Sequence, residues 1–374
     1  MSILFRLRLC AAVFLPTAQS VALRVDGGCL MLTRGAKMTR RHFAALLAGS
    51  PRFPGRVWET RAPASLGLDA NVLGRLAADL GGRGCIVKDG YLALAWGDQA
   101  EAGDWLSSAK PVITTLLFFA VAEGKVPSVE SKIERYGWPL SPKDRGIRFS
   151  HLANMISGYA RPEGPGKAWA YNDYAIQLYQ LTLFDRVYRD DPDRTAMDRK
   201  RFGALGMQDG LHFTAGKRRL IASVRDFARI AWFWLHQGHW NGREVLSSGF
   251  FRKYQRPQVP RDLPHTASAK TDDYLHVGTF GGGSDHFTNF GAGIYGSNWW
   301  FNRTGRLHPN ATTWPDGPPD TMMSIGFGGN CSVIIPSLGI VLASARGNWG
   351  QLTAGDRSTP MNRHIGLLAK SVRP

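Results

Sequence analysis

Ser107 and Lys110 form a Ser-x-x-Lys pattern, a spacing that can turn a serine into a nucleophile. Three residues make about one helical turn, so both side chains lie on the same face of a helix. A neutral lysine can accept the serine proton, and a charged lysine can stabilise the alkoxide. The pattern occurs once in the chain, which is also what chance would supply. The surrounding sequence must therefore decide between catalysis and coincidence.

The segment Asp104–Gly124 reads as a loop that becomes a hydrophobic helix. Pro111 falls in the first turn, where a missing N–H is tolerated, and Gly124 is suited to the residue just after the helix end. A helix N-terminus carries unpaired N–H groups and partial positive charge, which favours an oxyanion-forming serine. A lysine at the edge of an apolar core is costly without a role, so the context favours catalysis.

Composition indicates a globular chain with room for two lobes. Of its 374 residues, 44% are hydrophobic and 20% are charged, and the net charge is +17. Residues 1–60 contribute +7 of that charge, and elsewhere basic residues alternate with acids, as in 186–201. Nucleic-acid binders usually show a clustered basic stripe, so we expect no nucleic-acid partner.

The four cysteines, Cys10, Cys29, Cys85 and Cys331, show no metal-ligand spacing. Cys85 and Cys331 lie in strand-like runs and are interpreted as small buried hydrophobes. We expect no metal and no cofactor. The chain contains no run of eighteen apolar residues, so no stable membrane span is predicted. The sequence gives no indication of the oligomeric state.

Residues 1–57 are predicted to be an export leader or disordered. Ile3–Ala22 is basic, then apolar, then small, as in a signal peptide. A second signal-like unit starts at Met38, where Arg40 and Arg41 precede an apolar run and resemble a twin-arginine signal. Two leaders in series are explained if translation starts at Met38. We expect a periplasmic or secreted protein, with a cytoplasmic location as the alternative.

Strand-like and helical segments follow in an order that predicts the fold class. The predicted elements are a helix at Asp69–Leu80, a β-hairpin at Arg83–Asp98, helices within 125–274, a strand-like run at Gly291–Arg303, strands at Asn330–Ile335 and Ile340–Ala345, and a last helix near Pro360–Val372. Strands near both chain ends predict an α/β (α+β) protein with an antiparallel sheet flanked by helices. The predicted lobes are 58–124 with 275–374, which hold the sheet, and 125–274, an inserted mostly helical lobe with an active-site loop. Tryptophans 299, 300 and 314 are expected in the core, with the cleft as the alternative.

Several segments, in this order along the chain, resemble the serine β-lactamase and penicillin-binding-protein superfamily, in its class C-like esterase and amidase branch. The segments that carry the resemblance are Ser107–Lys110, Ile147–Tyr159, Trp169–Asp173, Phe202–Met207 and Gly326–Ser344. The resemblance covers residues 58–372 and implies a β-lactamase-like fold.

The resemblance also implies a second motif, Tyr-x-Asn, beside Ser-x-x-Lys. Tyr171 matches its tyrosine, while Asp173 stands where the asparagine would be. A tyrosine beside a lysine is stabilised as phenolate and can serve as general base to Ser107. Asp173 is expected to pair with Lys110 and keep it charged, which favours Tyr171 as the base.

The third motif of the superfamily, Lys-Thr-Gly or His-x-Gly, is replaced here. The sequence contains no Lys-Thr-Gly, and Phe327, Gly328 and Gly329 fill the place before the closing strands. The glycines allow backbone N–H groups to approach a ligand, and with the Ser107 N–H they are expected to form an oxyanion hole. The cation of the motif is missing.

The resemblance implies a serine hydrolase that cleaves an ester or amide through an acyl-enzyme. The carboxylate of Asp173 and the missing cation disfavour anionic substrates, so a neutral or cationic, small-molecule or peptide-like substrate is expected. Two alternatives stay open: a β-lactamase or D,D-peptidase, and a catalytically weak penicillin-binding-like module that recognises its ligand.

Overall fold

The computed structural model describes residues 20–25, 28–33, 51–268, 270–281 and 291–373. The chain divides into two units, Met1–Pro51 and Arg52–Pro374. In the first unit, β1 (Ser20–Val25) and β2 (Gly28–Thr33) pair antiparallel. The predicted leader around Met38, including its arginine pair, lies outside the described residues.

The second unit starts at Arg52, six residues before the boundary predicted from the sequence. The Arg52 carbonyl accepts a hydrogen bond from Trp232 Nε1 at 3.0 Å. The Arg229 guanidinium donates to the carbonyls of Gly55 and Arg56 at 3.0 and 3.1 Å. Residues 52–57, grouped with the leader on composition, are thus anchored by side chains of a later helix.

The second unit contains the remaining strands and the helices. Its strands are β3 (Arg83–Lys88), β4 (Tyr91–Trp96), β5 (Gly103–Asp104), β6 (His212–Phe213), β7 (Leu220–Ala222), β8 (His239–Trp240), β9 (Arg243–Glu244), β10 (Tyr295–Gly296), β11 (Trp299–Phe301), β12 (Met322–Gly326), β13 (Asn330–Ile335) and β14 (Ile340–Ala345). Its helices are α1 (Ala70–Leu80), α2 (Lys110–Ala122), α3 (Phe149–Ala153), α4 (Asp173–Leu181), α5 (Pro192–Met197), α6 (Val224–Leu235), α7 (Ser248–Tyr254) and α8 (Pro360–Lys370). Among these, no helix is long and apolar enough to cross a membrane.

The central sheet joins strands from the beginning and from the end of the second unit, and this confirms the predicted fold class. Its strand order is β10-β11-β12-β13-β14-β3-β4, with every neighbouring pair antiparallel. β14 pairs with β3 along its whole length, from Ile340 opposite Lys88 to Ala345 opposite Arg83. The β3–β4 hairpin turns at Asp89 and Gly90, whose φ values of 53° and 81° suit a tight Asp-Gly turn.

The helix α6 packs against the central sheet, although it lies within the segment assigned to the helical lobe. The ring of Phe227 stacks on that of Trp105 with centroids 3.7 Å apart, and Trp234 meets Trp299 edge to face. Nearly every residue of α6 is buried. A helix buried on nearly all sides requires partners on all sides, and the sheet supplies one of them.

The helix α2 is buried from Lys110 to Ala120, as its uniformly apolar sequence requires. Pro111 lies in its first turn, and Gly124, with φ of 71°, follows its end. Because α2 is held by core packing, the residues at its N-terminus have a fixed position. Strand β5 leads into that N-terminus and is paired with β7 in a small three-stranded sheet.

Candidate active site

Ser107 lies in a single 3-10 turn, Leu106–Ala109, which leads directly into α2. The Asp104 carboxylate accepts a hydrogen bond from the Leu106 N–H at 2.9 Å. Leu106 has φ of 48°, a left-handed conformation that is uncommon for a residue with a bulky side chain. Asp104 therefore stabilises a strained turn that presents Ser107 at the N-terminus of α2, where partial positive charge favours a developing anion.

Lys110 contacts the other three polar residues that the sequence analysis predicts for the site. Its Nζ lies 2.8 Å from Ser107 Oγ, 2.7 Å from Tyr171 Oη and 3.4 Å from Asp173 Oδ1. An ammonium group has three donor hydrogens, so protonated Lys110 can donate to all three oxygens. The side chains of Lys110 and Asp173 are only 1% and 2% exposed. The cluster is therefore a buried polar network whose most exposed member is half-buried Ser107.

Burial makes Lys110 a weaker base than a lysine on the surface. Desolvation lowers the pKa of Lys110 to about 8, while the negative charge of Asp173 raises it. The Tyr171 and Phe280 rings lie 4.1 and 4.9 Å from Nζ at their centroids and attract the cation. A lysine with this pKa can lose its proton near neutral pH, which ordinary lysines do not. Lys110 can thus take part in proton transfer.

The pKa of Lys110 predicts the pH dependence of the reaction. Loss of one proton from the cluster leaves either neutral Lys110 beside the Tyr171 phenol or charged Lys110 beside the phenolate. Both forms hold the same number of protons, and each offers a base to Ser107. We therefore expect kcat/KM for a neutral ester to rise with pH through about 8. Asp173→Asn, which removes the charge that raises this pKa, should move the acid limb to lower pH. Activity that falls over this range would contradict the assignment.

Asn172 positions both Tyr171 and Asp173 by capping α4. Its Oδ1 accepts hydrogen bonds from two backbone N–H groups of the first helical turn, at 3.0 and 3.3 Å. Its Nδ2 donates to the Tyr159 carbonyl at 2.6 Å. A cap residue with extended backbone leaves its predecessor outside the helix and puts its successor at the first helical position. The two residues therefore reach Lys110 from either side of the cap.

Aromatic rings hold the Tyr171 side chain in place. Trp300 stacks on it with centroids 5.9 Å apart, and the rings of Trp169 and Tyr295 lie 6.3 Å away. Burial raises the pKa of Tyr295 well above its ordinary value, so Tyr295 stays a neutral phenol beside Tyr171. Trp300 is thus both a core residue and a wall of the polar cluster. The other two tryptophans considered above, 299 and 314, are buried as well.

The segment that ends at Gly281 covers Asp173. The Phe280 N–H donates to the Asp173 carbonyl at 3.2 Å. A Cβ atom placed on Gly281 would lie 2.7 Å from Asp173 Oδ2, so only glycine fits there without a shift. Asp173 therefore faces Lys110 beneath this segment. The sequence pattern gave no signal for the covering role of Phe280 and Gly281.

Phe327, Gly328 and Gly329 form the turn between β12 and β13. The two glycines have φ of 71° and 79°, which favours residues without a side chain. The Gly329 carbonyl accepts a hydrogen bond from the Gly347 N–H at 3.0 Å, so this glycine also packs against the loop that follows β14. The Phe327 side chain is 86% exposed.

Gly326, which the sequence analysis did not single out, is the glycine that touches the nucleophile turn. A Cβ on Gly326 would lie 2.5 Å from the Trp105 carbonyl oxygen and 2.9 Å from the Ser108 nitrogen. Strand β11 pairs with β12 only at Met322 and Met323, so Gly326 has no partner in β11. A glycine directly before the Phe-Gly-Gly triplet was the available signal.

Asn330 ties the same hairpin to the strand before Ser107. Its Nδ2 donates to the carbonyls of Asp104 and Phe327 at 3.1 and 3.0 Å, and its Oδ1 accepts from the Arg346 N–H at 3.1 Å. One side chain thus links three segments around the turn. Within the described ranges, no group of three or more His, Cys, Asp or Glu side chains is arranged to hold a metal ion.

Comparison with known proteins finds similarity in structure alone. No family model and no curated protein sequence matches this chain. Among solved structures, a β-lactamase from Mycobacterium bovis aligns with a TM-score of 0.56 at 18% identity, covering 80% of this chain and 99% of its own. A β-lactamase/D-alanine carboxypeptidase from Yersinia pestis aligns with a TM-score of 0.54 at 15% identity, covering 83% and 100%. A family VIII carboxylesterase has a TM-score of 0.54 at 13% identity, covering 83% and 99%.

These structures share the antiparallel sheet flanked by helices that the resemblance implied. Because the identities are all below 20%, the comparison shows likeness in fold alone. The chemistry has to be argued from the residues of this chain. The protein thus has the fold of the β-lactamase and penicillin-binding-protein superfamily.

Proposed function

We propose that this protein is a serine hydrolase that cleaves an ester or amide bond through an acyl-enzyme intermediate. The observation that carries the proposal is the position of Lys110 Nζ, within 2.8 Å of both Ser107 Oγ and Tyr171 Oη. Lys110 thus contacts both the proposed nucleophile and the tyrosine proposed as its base, and a lysine in such a position can activate a nucleophile.

In the acylation step, the Ser107 oxygen attacks the carbonyl carbon of the substrate as its proton passes to the Tyr171 phenolate. Charged Lys110 stabilises that phenolate and the developing alkoxide. The electrons of the C=O bond move to its oxygen, which the N–H groups of Ser107 and of the Phe327–Gly329 turn would receive. The C–O or C–N bond of the tetrahedral intermediate then breaks, and the leaving group takes the proton from Tyr171.

Deacylation repeats these roles with water as the nucleophile. Tyr171 accepts a proton from water, whose oxygen attacks the acyl carbon, and the bond to Ser107 Oγ breaks. The serine oxygen recovers its proton from Tyr171, and a carboxylic acid is released. No step requires a metal or an organic cofactor.

The charges around the cluster support a neutral or cationic substrate. Asp173 and Lys110 offset each other as a buried pair with an N–O distance of 3.4 Å. The Phe327–Gly329 turn carries no charged side chain and presents an exposed aromatic ring. A substrate carboxylate at this turn would meet no cation from it, so an ester or amide without a negative charge suits the site better.

Two alternatives to this proposal remain. A β-lactamase/D-alanine carboxypeptidase and a family VIII carboxylesterase share the fold with the same TM-score of 0.54, so the fold does not choose between a β-lactamase or D,D-peptidase and an esterase. The altered second and third motifs keep a weakly catalytic recognition module as a third candidate.

Export to the periplasm, suggested by the arginine pair near Met38, is part of the proposal and would be checked by cell fractionation.

Release of p-nitrophenol from a short-chain p-nitrophenyl ester tests the proposal. We expect an early burst close to one equivalent of enzyme, followed by steady turnover, because acylation precedes slower hydrolysis of the acyl-enzyme. Release no faster than the buffer background would reject the hydrolase and favour the recognition module.

The same assay, run beside a chromogenic β-lactam, separates the substrate classes. Wild-type protein should acylate faster with the neutral ester. Asp173→Asn removes one negative charge and restores an amide, so acylation by the β-lactam relative to the ester should rise about tenfold, or about 1.4 kcal/mol. A ratio that does not change would show that Asp173 does not set specificity. Faster β-lactam turnover in the wild type would favour a β-lactamase or D,D-peptidase.

A further inference from the structure

Three buried serine hydroxyls form a continuous chain beside the nucleophile turn. Ser108 Oγ lies 2.6 Å from Ser324 Oγ, which lies 2.8 Å from Ser332 Oγ. All three side chains are fully buried. Ser324 and Ser332 face each other on β12 and β13. None of these hydroxyls has a role in the proton transfers proposed above.

The chain crosses the boundary between the nucleophile turn and the central sheet. Ser108 follows Ser107 directly, and Ser324 lies two residues before Gly326 on β12. The backbones meet so closely at Gly326 that a Cβ there would lie 2.9 Å from the Ser108 nitrogen. No side chain can fill this boundary at Gly326, and the hydroxyls of Ser108 and Ser324 link its two sides.

A buried hydroxyl is costly unless it is hydrogen-bonded, and an apolar side chain would fill the space at no such cost. What a hydroxyl adds is a short, directional bond that favours one separation of the two backbones. Asn330 adds a second link, because its Nδ2 donates to the carbonyls of Asp104 and Phe327. The turn that carries Ser107 is thus attached to the β12–β13 hairpin at two points.

We infer that Ser324 is a positioning residue, whose bond to Ser108 sets the distance between the nucleophile and the hairpin N–H groups that receive the oxyanion. This inference rests on the proposed acyl-enzyme function. An error of about 1 Å in such a distance can lower a rate about a hundredfold. The bond should therefore affect acylation more than it affects substrate binding.

The experiment measures acylation from the p-nitrophenol burst in Ser324→Ala, Ser108→Ala and the double variant. We expect each single variant to acylate at least about tenfold more slowly, while the ester concentration that half-saturates the burst rate stays within about twofold of the wild type. Because both substitutions break the same bond, the double variant should be no slower than the slower single variant. Full acylation in Ser324→Ala, or losses that multiply in the double variant, would overturn the inference.

The matched control is Ser344→Ala. Ser344 is also a fully buried serine of the central sheet, and its hydroxyl accepts a hydrogen bond from Trp349 Nε1 at 2.7 Å. It lies on β14, so its loss should lower the thermal midpoint and leave the acylation rate unchanged. An equal rate loss in this variant would mean that any buried hydroxyl of the sheet has the same effect, and the inference would fail.

Further variants of Ser324 and a labelling experiment complete the test. If Ser324→Ala does not fold, Ser324→Cys keeps the volume with a much weaker donor and should show the same slow acylation. Ser324→Thr retains the hydroxyl and should recover most of the rate. Labelling of the wild type by a fluorophosphonate tests the underlying function separately. Absence of labelling rejects the hydrolase, whereas labelling with unchanged Ser324→Ala kinetics rejects only the positioning role.

Discussion

Replacing Ser107 with alanine should abolish both the p-nitrophenol burst and steady turnover. We expect a loss of about 10⁴-fold or more, as found when the nucleophile of a serine hydrolase is removed. The fold should survive, because the side chain is half-buried and contributes no apolar packing. A fluorophosphonate should label the wild type at Ser107 and leave the variant unlabelled, as read by mass spectrometry of the intact protein.

Ser65→Ala provides the comparison for labelling. Ser65 is an exposed serine whose hydroxyl donates to the Ala62 carbonyl at 2.7 Å. This variant should label and turn over like the wild type. Labelling that persists in Ser107→Ala would place the reactive serine elsewhere and remove the basis of the mechanism.

Lys110→Met should cause a large loss of rate together with a large loss of stability. The variant removes the group within hydrogen-bond reach of both Ser107 and Tyr171, and acylation should fall about 10³-fold or more. It also removes the ammonium group from beside the Asp173 carboxylate, which is 2% exposed. Breaking a buried ion pair from one side costs about 3–5 kcal/mol, which denaturant unfolding would measure.

The double variant Lys110→Met/Asp173→Asn separates the two effects. Removing both charges of the pair should recover much of the free energy of unfolding, because neither partner is left buried without the other. Acylation should stay as low as in Lys110→Met, since the proton-transfer group is still missing. Recovery of both quantities would show that the single variant lost activity by unfolding and that Lys110 has no chemical role.

The sequence predicts much of the fold because strong local patterns specify it. The Asp-Gly turn gives the β3–β4 hairpin, and the strands Asn330–Ile335 and Ile340–Ala345 have the predicted bounds. The packing of α6 against the central sheet was not predicted. Its apolar sequence indicates burial, but local periodicity does not say which element covers each face. Contact with the central sheet depends on residues more than a hundred positions away in the chain.

The candidate site also contains residues that the sequence predicts and residues whose contacts depend on tertiary packing. The spacing of Ser107 and Lys110 is local, and Tyr171 and Asp173 were found through the resemblance; the structure brings all four together, and their catalytic roles stay predictions. The contacts of Gly326 and Ser324 with the nucleophile turn could not be found from spacing, because they arise only when β12 reaches this turn across the sheet. The cover that Gly281 forms over Asp173 also depends on tertiary packing.

The pairing of β3 with β14 has a consequence for when this protein becomes active. These neighbouring strands, Arg83–Lys88 and Ile340–Ala345, are separated by about 250 residues, so the loop closed between them is very long. Such non-local pairing makes folding slow, and the sheet cannot be completed until β14 has left the ribosome. β12, which borders the Ser107 turn, is also made long after that turn. Until then the nascent chain would carry Ser107 and Lys110 without the completed sheet beside them, and the proposed hydrolytic activity would appear only once the sheet has formed.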